Sequence, residues 1–154
     1  MMFKTHLSFS VLISLLLIIF FDIPNKIIFI FLIAVSSSFP DIDSDKSKIG
    51  RKLPLISKII NLIFGHRKFF HSIFIPLILF LALYTIDFYI SLAIFIGYLT
   101  HLLGDSITNE GIMPFYPLSK FNISGLLKTN SILEFLLFLT FSSLSLFLLY
   151  KIYL

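Results

Sequence analysis

Five apolar stretches divide this sequence, and they limit the folds available to it more than any other feature. They lie at roughly residues 7–21, 27–39, 73–86, 88–104 and 131–150. Charged residues make up only 13% of the chain, whereas a soluble domain uses roughly 25% to cover its surface. At a rise of about 1.5 Å per residue, the last stretch is long enough to cross a bilayer core of about 30 Å, whereas the first three are short. The sequence therefore predicts an all-α, polytopic integral membrane protein with about five apolar helices.

The connections between the apolar stretches are either tight turns or long polar loops. Pro24 and Asp87 mark the two tight turns, because proline and polar residues interrupt the apolar pattern there. Residues 40–72 form a long basic connection, in which residues 55–64 have the pattern of an amphipathic helix lying at the membrane surface. Glycines and prolines break residues 109–130 into an irregular loop. We expect a single membrane-embedded domain over residues 1–154.

The positive charges predict which side of the membrane each loop occupies. With five spans and the N-terminus in the cytoplasm, all basic residues except Lys26 and Lys151 fall on the cytoplasmic side. Lysine and arginine are enriched in cytoplasmic loops. The sequence therefore predicts a multi-pass protein of the inner membrane with residues 40–72 in the cytoplasm. Since this orientation explains the basic character, we expect the lipid bilayer as a partner and no nucleic acid.

Residues that can ligate a metal gather at the same ends of the apolar stretches. The chain has no cysteine, so a metal would need histidine and carboxylate ligands. In the five-span topology the cytoplasmic ends hold all four histidines and five of the eight acids: His6, His66, His71, His101, Asp41, Asp43, Asp45, Asp105 and Glu110. Ionisable groups at a membrane edge are costly, and their convergence from four segments indicates a functional site.

His101 and Asp105 form the first candidate motif. They are four residues apart and therefore share one helix face about one turn apart. An imidazole and a carboxylate in this arrangement can hold a divalent ion, as in metal sites built inside helix bundles. A simple hydrogen-bonded pair near a helix end has the same spacing, so the motif alone leaves both interpretations open.

Three alternating acids, Asp41, Asp43 and Asp45, follow the second apolar stretch. Pro40 disfavours helical geometry at the residue before it, so we expect an extended or turn segment in which Asp41 and Asp43 point to one side. Such a run suits oxygen ligation of a cation. The alternative is a solvated turn flanked by lysines.

A second histidine motif precedes the third apolar stretch. We expect His71 or Ser72 to lie near the N-cap of that helix, where free backbone amides attract anions. Arg67 adds a guanidinium that can bind a phosphate or carboxylate. The alternative for Arg67 and Lys68 is ordinary anchoring on the cytoplasmic side. His6 opens the first helix and becomes a plausible ligand in the company of the other histidines.

As a set, these motifs resemble the YdjM-like family of small membrane-bound, metal-dependent hydrolases of bacteria and archaea. The family pattern runs from an early histidine through Pro-Asp-hydrophobic-Asp, His-Arg, His-Ser and His-Leu-Leu-x-Asp to a threonine and a glycine. This chain matches that pattern over nearly its whole length with His6, Pro40-Asp41-Ile42-Asp43, His66-Arg67, His71-Ser72, His101-Leu102-Leu103-Gly104-Asp105, Thr108 and Gly111. The order of ligands is also similar to that of zinc-dependent phospholipase C and the nucleases that resemble it.

The resemblance implies a metal site and roles for its residues. One divalent ion, most simply zinc, would be held by Asp41, His71, His101 and Asp105, and a second ion would be held by His6 and bridged by Asp105. No histidine follows His101, so one or two ions are expected rather than the cluster of three, with Glu110 the nearby acid left to complete a second site. In the implied hydrolysis, Asp43 or His66 would accept a proton and Arg67 would stabilise charge on a phosphoryl group.

The position at the membrane edge favours a phosphorylated or lipid-like substrate. A second class of function stays open, because the same cluster is compatible with a structural metal or a polar network in a non-enzymatic membrane adaptor whose basic loop binds anionic lipid or a protein. Ion translocation is less favoured, because the acids lie at one membrane face and none occupies the centre of a helix.

Overall fold

The computed structural model describes residues 1–153, so Leu154, the last residue of the predicted domain, lies outside the described residues. Within them the protein is all-helical, which confirms the predicted fold class. The helices are α1 (Phe3–Phe20), α2 (Lys26–Ser36), α3 (Pro54–Phe64), α4 (Phe74–Tyr84), α5 (Phe88–Ser106) and α6 (Ile132–Tyr153), with short 3₁₀ segments at Phe39–Asp43 and Phe69–His71. Residues 109–130 contain no helix, as expected, and two isolated β-bridges tie parts of this loop together.

Three of the helices are long and apolar enough to cross a membrane: Phe3–Phe20, Phe88–Ser106 and Ile132–Ile152. Helices α2 and α4 have 11 residues each, which corresponds to roughly 16 Å, about half of a bilayer core. The two short helices pack on α5, which also contacts α1, and α1 packs on α6. The architecture is that of a helical membrane protein in which α5 is the central element.

Gly97 permits the close approach of α5 to α2. A Cβ atom at this position would lie 1.9 Å from the Ser36 hydroxyl oxygen and 2.4 Å from the Ile33 carbonyl oxygen. Small residues at helix contacts are how membrane helices gain dispersion contacts without a hydrophobic driving force. Ala93, one turn before Gly97, is fully buried in the same contact. This packing sets the position of the C-terminal end of α2 against the middle of α5.

Helix α3 lies on the surface of the bundle, as predicted for an interfacial helix. Its apolar side chains, among them Leu55, Ile59 and Leu62, are exposed, and Ser57 is its one buried residue. A helix that turns its apolar face away from its own protein, beside the ends of membrane-spanning helices, is suited to the boundary between headgroups and acyl chains.

The acidic run after α2 adopts a different conformation from the one expected. Instead of an extended segment, Phe39–Asp43 forms a 3₁₀ turn, because Pro40 occupies the start of the turn, where its missing N–H and fixed φ are tolerated. As a result, Asp41 and Asp43 do not point to one side. Asp43 is completely buried, whereas the Asp41 side chain is 21% exposed.

His71 and Ser72 lie directly before the N-cap of the following helix, as predicted, but neither side chain caps it. Helix α4 begins at Phe74, its N-cap residue is Ile73, and no side chain caps it. His71 instead ends a 3₁₀ turn, and the Ser72 hydroxyl donates to the Phe69 carbonyl oxygen. The intervening turn carries the His71 side chain into the bundle rather than across the helix end.

Candidate metal centre

Four separate segments bring the predicted ligands together at one end of the bundle. His6 comes from the first turns of α1, Asp41 from the 3₁₀ turn after α2, His71 from the turn before α4, and His101 and Asp105 from α5. All except Asp41 are almost completely buried. Burial of so many ionisable groups is unfavourable unless they compensate one another or share a cation.

The nitrogen atoms of two histidines face each other at the centre of this cluster. His71 Nε2 lies 3.3 Å from His101 Nε2. Asp105 Oδ2 lies 3.5 Å from the first and 3.6 Å from the second. Asp41 Oδ1 is 3.9 Å from His101 Nε2. The ligand atoms of Asp41, His71 and His101 lie close enough together to hold one ion.

His6 approaches the same carboxylate from the other side. Its Nε2 atom is 3.1 Å from Asp105 Oδ1, and its ring stacks on that of His101 with the centroids 4.0 Å apart. Gly104 provides the space, since a Cβ atom there would lie 2.9 Å from the His6 ring. The two oxygens of Asp105 therefore face different histidines, and His6, His101 and Asp105 form a second group able to hold an ion.

Hydrogen bonds behind the ligands fix which nitrogen of each ring faces the cluster. His101 Nδ1 lies 2.7 Å from the Ser37 carbonyl oxygen, which can only accept, so the proton resides on Nδ1. His71 Nδ1 likewise donates to Asp43 Oδ2 at 3.1 Å. When both rings are neutral, the two Nε2 atoms carry the lone pairs, an arrangement typical of metal-ligating histidines. Two such lone pairs, 3.3 Å apart beside a buried carboxylate, fit a shared cation.

Asp43 organises the surroundings of the cluster. Its carboxylate accepts from His66 Nδ1 at 2.7 Å, from His71 and from the Arg67 backbone amide at 3.0 Å, while its carbonyl oxygen accepts from Asn61. Burial alone would raise the pKa of this carboxyl, but the hydrogen bonds from the two histidines outweigh burial and hold the pKa well below its usual range. Asp43 is therefore a permanent anion behind His71.

His71 is held in surroundings that favour positive charge. Burial by itself would lower the pKa of the imidazole, but hydrogen bonds to Asp105 and Asp43, together with their negative charges, raise the pKa of His71 to about 9. Without a metal the ring therefore favours a second proton on Nε2, and neighbours that stabilise this proton would also stabilise a metal ion in its place. The donor set of imidazoles and carboxylates suits zinc or a similar divalent ion.

Arg67 is tied to the cluster by both its backbone and its side chain. Its φ of 57° lies in the left-handed region, which is unusual for a residue other than glycine. The hydrogen bond from its amide to Asp43 helps to hold this conformation. Its guanidinium is 3.3 Å from Asp105 Oδ2 and 2.8 Å from Glu110 Oε2. Glu110, which the sequence left as a possible ligand, is thus a partner of Arg67 and is mostly exposed.

The three predicted catalytic residues lie in two different environments. Asp43 is enclosed, whereas the His66 side chain is 40% exposed. His66 and Arg67 reach a cleft of about 390 Å³ that also touches Asp41. We call this space the basic cleft, because its walls also carry Lys4, Lys46, Lys48 and Arg51. Of the five cluster residues, Asp41 is the one that lines the cleft.

Three further residues contribute to this region without being predicted from the sequence. The Met1 amino group lies 2.5 Å from Asp105 Oδ1. The Ser37 carbonyl oxygen orients His101, and a backbone acceptor leaves no signal in a sequence. Glu134 is fully buried and accepts from the Met2 and Asn130 amides, which joins the start of α6 to the start of α1. Glu134 is the one acid in the apolar stretch of residues 131–150. Because an ionisable residue in such a stretch is costly, its role could have been predicted from the sequence.

The chain matches the family described as YdjM inner membrane protein over residues 1–153, and it belongs to that family. It is 43% identical to YvsG of Bacillus subtilis (strain 168) over 86 residues, 54% of each chain. It is 38% identical to the inner membrane protein YdjM of Escherichia coli (strain K12), and equally to that of Shigella flexneri, over 90 residues, which cover 51% of this chain and 43% of each relative. The chain spans about half the length of the curated relatives it matches. No solved structure matches it.

Proposed function

We propose that this member of the YdjM inner membrane protein family is a metal-dependent hydrolase that cleaves a phosphoester of a lipid-like substrate at the cytoplasmic face of the membrane. The observation that carries the proposal is the pair of Nε2 atoms of His71 and His101, 3.3 Å apart beside Asp105. A cluster of this kind next to an open cleft is suited to catalysis, because a substrate can reach the cleft. A purely structural metal site needs no access from the surface.

Asp41, His71, His101 and Asp105 would hold one divalent ion, most simply zinc. His6 would hold a second ion, with Asp105 between the two, because its two oxygens face different histidines. Such an ion acts as a Lewis acid and lowers the pKa of water to near neutrality. The partial exposure of Asp41 places one ligand of the first site at the wall of the basic cleft.

His66 is the better candidate for accepting a proton, and Asp43 is its positioning partner. The exposed imidazole reaches the cleft, and its Nδ1 atom is hydrogen-bonded to the buried carboxylate. Asp43 itself is enclosed and already accepts three hydrogen bonds through its carboxylate, so it serves to orient His66 and His71. A positioned general base of this type contributes typically 10²–10⁴-fold to rate. Arg67, between Asp105 and the cleft, would stabilise charge on a phosphoryl group.

The basic residues support a cytoplasmic position for the cluster. Lys4, Lys46, Lys48 and Arg51 line the same cleft as Asp41 and His66, so the end of the bundle that holds the cluster is also its most basic end. By the positive-inside rule this end faces the cytoplasm in a multi-pass protein.

Substitution of Asp105 by asparagine tests the proposed function. Asp105→Asn preserves size but removes the charge that we assign to both proposed ions, so the protein should fold and insert but lose turnover. The assay should offer phospholipids, polyprenyl phosphates and generic phosphoesters to detergent-purified protein supplied with Zn, Mn or Mg. Asp45→Asn is the control, because Asp45 is an exposed acid near Asp41 that lies outside both ligand groups.

Two results would contradict the proposal. Metal-dependent turnover that Asp105→Asn retains would show that the site is misplaced. If the native protein turns over nothing across the panel while its basic loop binds a partner, the non-enzymatic adaptor becomes the better account.

A further inference from the structure

A second elongated cavity meets the basic cleft at the end of the bundle. It has a volume of about 470 Å³ and runs between α1 and α6. We call it the apolar groove, and its walls include Leu7, Val11, Phe138, Leu146 and Leu149. Phe3, Lys4 and Lys48 line both the groove and the cleft. The two spaces are therefore neighbours that share a wall, one basic and one apolar.

The groove has the length and the surface of a site for a hydrocarbon chain. Its lining extends from residue 3 to residue 11 on α1 and from residue 138 to residue 149 on α6, which corresponds to roughly 12–16 Å along the helices, about one leaflet. Small serines at positions 8, 142 and 145 leave the space open. The hydroxyls of Ser8 and Ser145 donate to carbonyl oxygens of their own helices, so they do not make the groove polar.

The cleft has the charge required by an anionic headgroup. Lys4, Lys46, Lys48 and Arg51 form no ion pair with a carboxylate among residues 1–153, and Asp41 is the one acid in the lining of the cleft. At the boundary with the groove, the Lys4 and Lys48 ammonium groups lie over aromatic rings, 5.0 Å from the Phe138 centroid and 4.6 Å from the Phe3 centroid. These cations are held in place without being neutralised.

We infer that the cleft and the groove together form one binding site for a phosphorylated lipid, with its phosphate in the cleft beside Asp41 and His66 and a hydrocarbon chain between α1 and α6. The inference rests on the proposed function for the identity of the reacting group, and it adds where the headgroup and the hydrocarbon chain of that substrate bind. Charge complementarity selects an anionic headgroup, and the shared wall formed by Phe3, Lys4 and Lys48 connects it to the chain.

Binding can be tested without turnover, so that failure of this inference and failure of the proposed function are distinguishable. The probe is a monoacylglycerol phosphate with a photoreactive diazirine in its chain, added to the full-length protein in detergent with a metal chelator present. Labelling should map to residues 7–11 of α1 and 138–149 of α6. Unlabelled monoacylglycerol phosphate should compete, whereas the same lipid without phosphate, or inorganic phosphate alone, should not.

Ser142→Trp and Ser143→Trp form a matched pair for the groove. Ser142 lines the groove, whereas the adjacent Ser143 is exposed and lies outside the lining. Because buried methylenes contribute most of the affinity of an acyl chain, Ser142→Trp should weaken labelling by about tenfold or more and Ser143→Trp should not. Leu146→Trp provides a second obstruction of the groove if Ser142→Trp is not monodisperse.

A matched pair of double variants tests the contribution of the basic cleft to binding. A double variant with Lys48→Ala and Arg51→Ala should weaken binding by about tenfold or more, whereas Lys52→Ala with Lys58→Ala, exposed positions outside the cleft, should leave it unchanged. Equal labelling in Ser142→Trp and Ser143→Trp, or displacement of the probe by inorganic phosphate alone, would overturn the inference. Retained labelling in a protein that hydrolyses nothing would overturn only the proposed function.

Discussion

His101 donates a hydrogen bond from Nδ1 to the main-chain carbonyl oxygen of Ser37 at 2.7 Å. Ser37 follows directly after α2, and His101 lies in α5 one turn after Gly97, where the two helices are in close contact. The packing of these helices therefore determines the tautomer of a candidate metal ligand. Because Nδ1 carries the proton, Nε2 presents its lone pair to His71 and Asp105.

The metal content of the purified protein should respond to loss of the ligands. We expect about one or two equivalents of a divalent transition metal per chain, because neutral imidazoles and carboxylates suit such ions. A variant combining His71→Ala, His101→Ala and Asp105→Ala should lose this metal in elemental analysis, and Asp45→Ala should keep it. Stoichiometric metal in the triple variant would contradict the ligand assignment.

Asp43 should influence metal affinity without being a ligand. Asp43→Asn removes the anion that accepts from His71 Nδ1, and loss of such an outer hydrogen bond typically weakens metal binding about 10–100-fold. Chelator competition measures the affinity, with Asp45→Asn as the control. An unchanged affinity would show that the bond between His71 and Asp43 does not orient the ligand.

The helices and part of the cluster were predictable because they follow from spacing and hydropathy. The apolar stretches correspond to α1, α2, α4, α5 and α6, and a four-residue interval on one helix does bring His101 to within 3.6 Å of Asp105. The predicted topology placed His6, His71 and Asp41 at the same membrane face as this pair, and the resemblance to a family pattern assigned them as ligands. Spacing within one segment carries no information about distances between segments.

The different positions of the Asp41 and Asp43 side chains could not be predicted from spacing. Residues two apart point to the same side of an extended chain, but the 3₁₀ turn at Phe39–Asp43 rotates them apart. One therefore faces His101, and the other lies behind His71 and His66. The left-handed backbone of Arg67 also depends on a tertiary hydrogen bond to Asp43, which no local sequence preference encodes.

Gly97 should be sensitive to the addition of a single methyl group. Gly97→Ala places Cβ within 1.9 Å of the Ser36 hydroxyl and 2.4 Å of a backbone oxygen that cannot rotate away, so α2 and α5 must separate. Overpacking of this kind costs about 1–3 kcal/mol, and the apparent melting temperature in detergent should fall. Leu103→Ala, at an exposed position of the same helix, is the control. An unchanged melting temperature in Gly97→Ala would show that the contact is looser than the structure indicates.

The proposed orientation can be measured with single cysteines, because the chain contains none of its own. Lys52→Cys lies in the basic connection and Asp22→Cys at the opposite end of α1, and both positions are exposed. A membrane-impermeant thiol reagent added to intact cells should label Asp22→Cys. It should label Lys52→Cys only after the cells have been permeabilised. Labelling of Lys52→Cys in intact cells would show that the orientation is the reverse of the one proposed.

His66 should separate turnover from metal binding. Its side chain is 40% exposed and lines the basic cleft, and its Nδ1 atom is hydrogen-bonded to Asp43, whereas the ligand groups consist of His6, Asp41, His71, His101 and Asp105. His66→Gln removes the ionisable ring but leaves those ligands in place. We expect metal content close to that of the native protein and turnover lower by about 10²–10⁴-fold, the usual contribution of a general base.

Comparison of metal content with turnover distinguishes a general base from a metal ligand. If His66 accepts the proton, kcat should fall while KM changes little, because in our proposal the headgroup would be bound chiefly by the lysines and arginines that line the cleft. His71→Gln serves as the contrasting variant, since the loss of a buried ligand should lower both metal content and turnover. Loss of metal from His66→Gln comparable to that from His71→Gln would assign His66 to the metal centre instead and leave the proton acceptor unidentified.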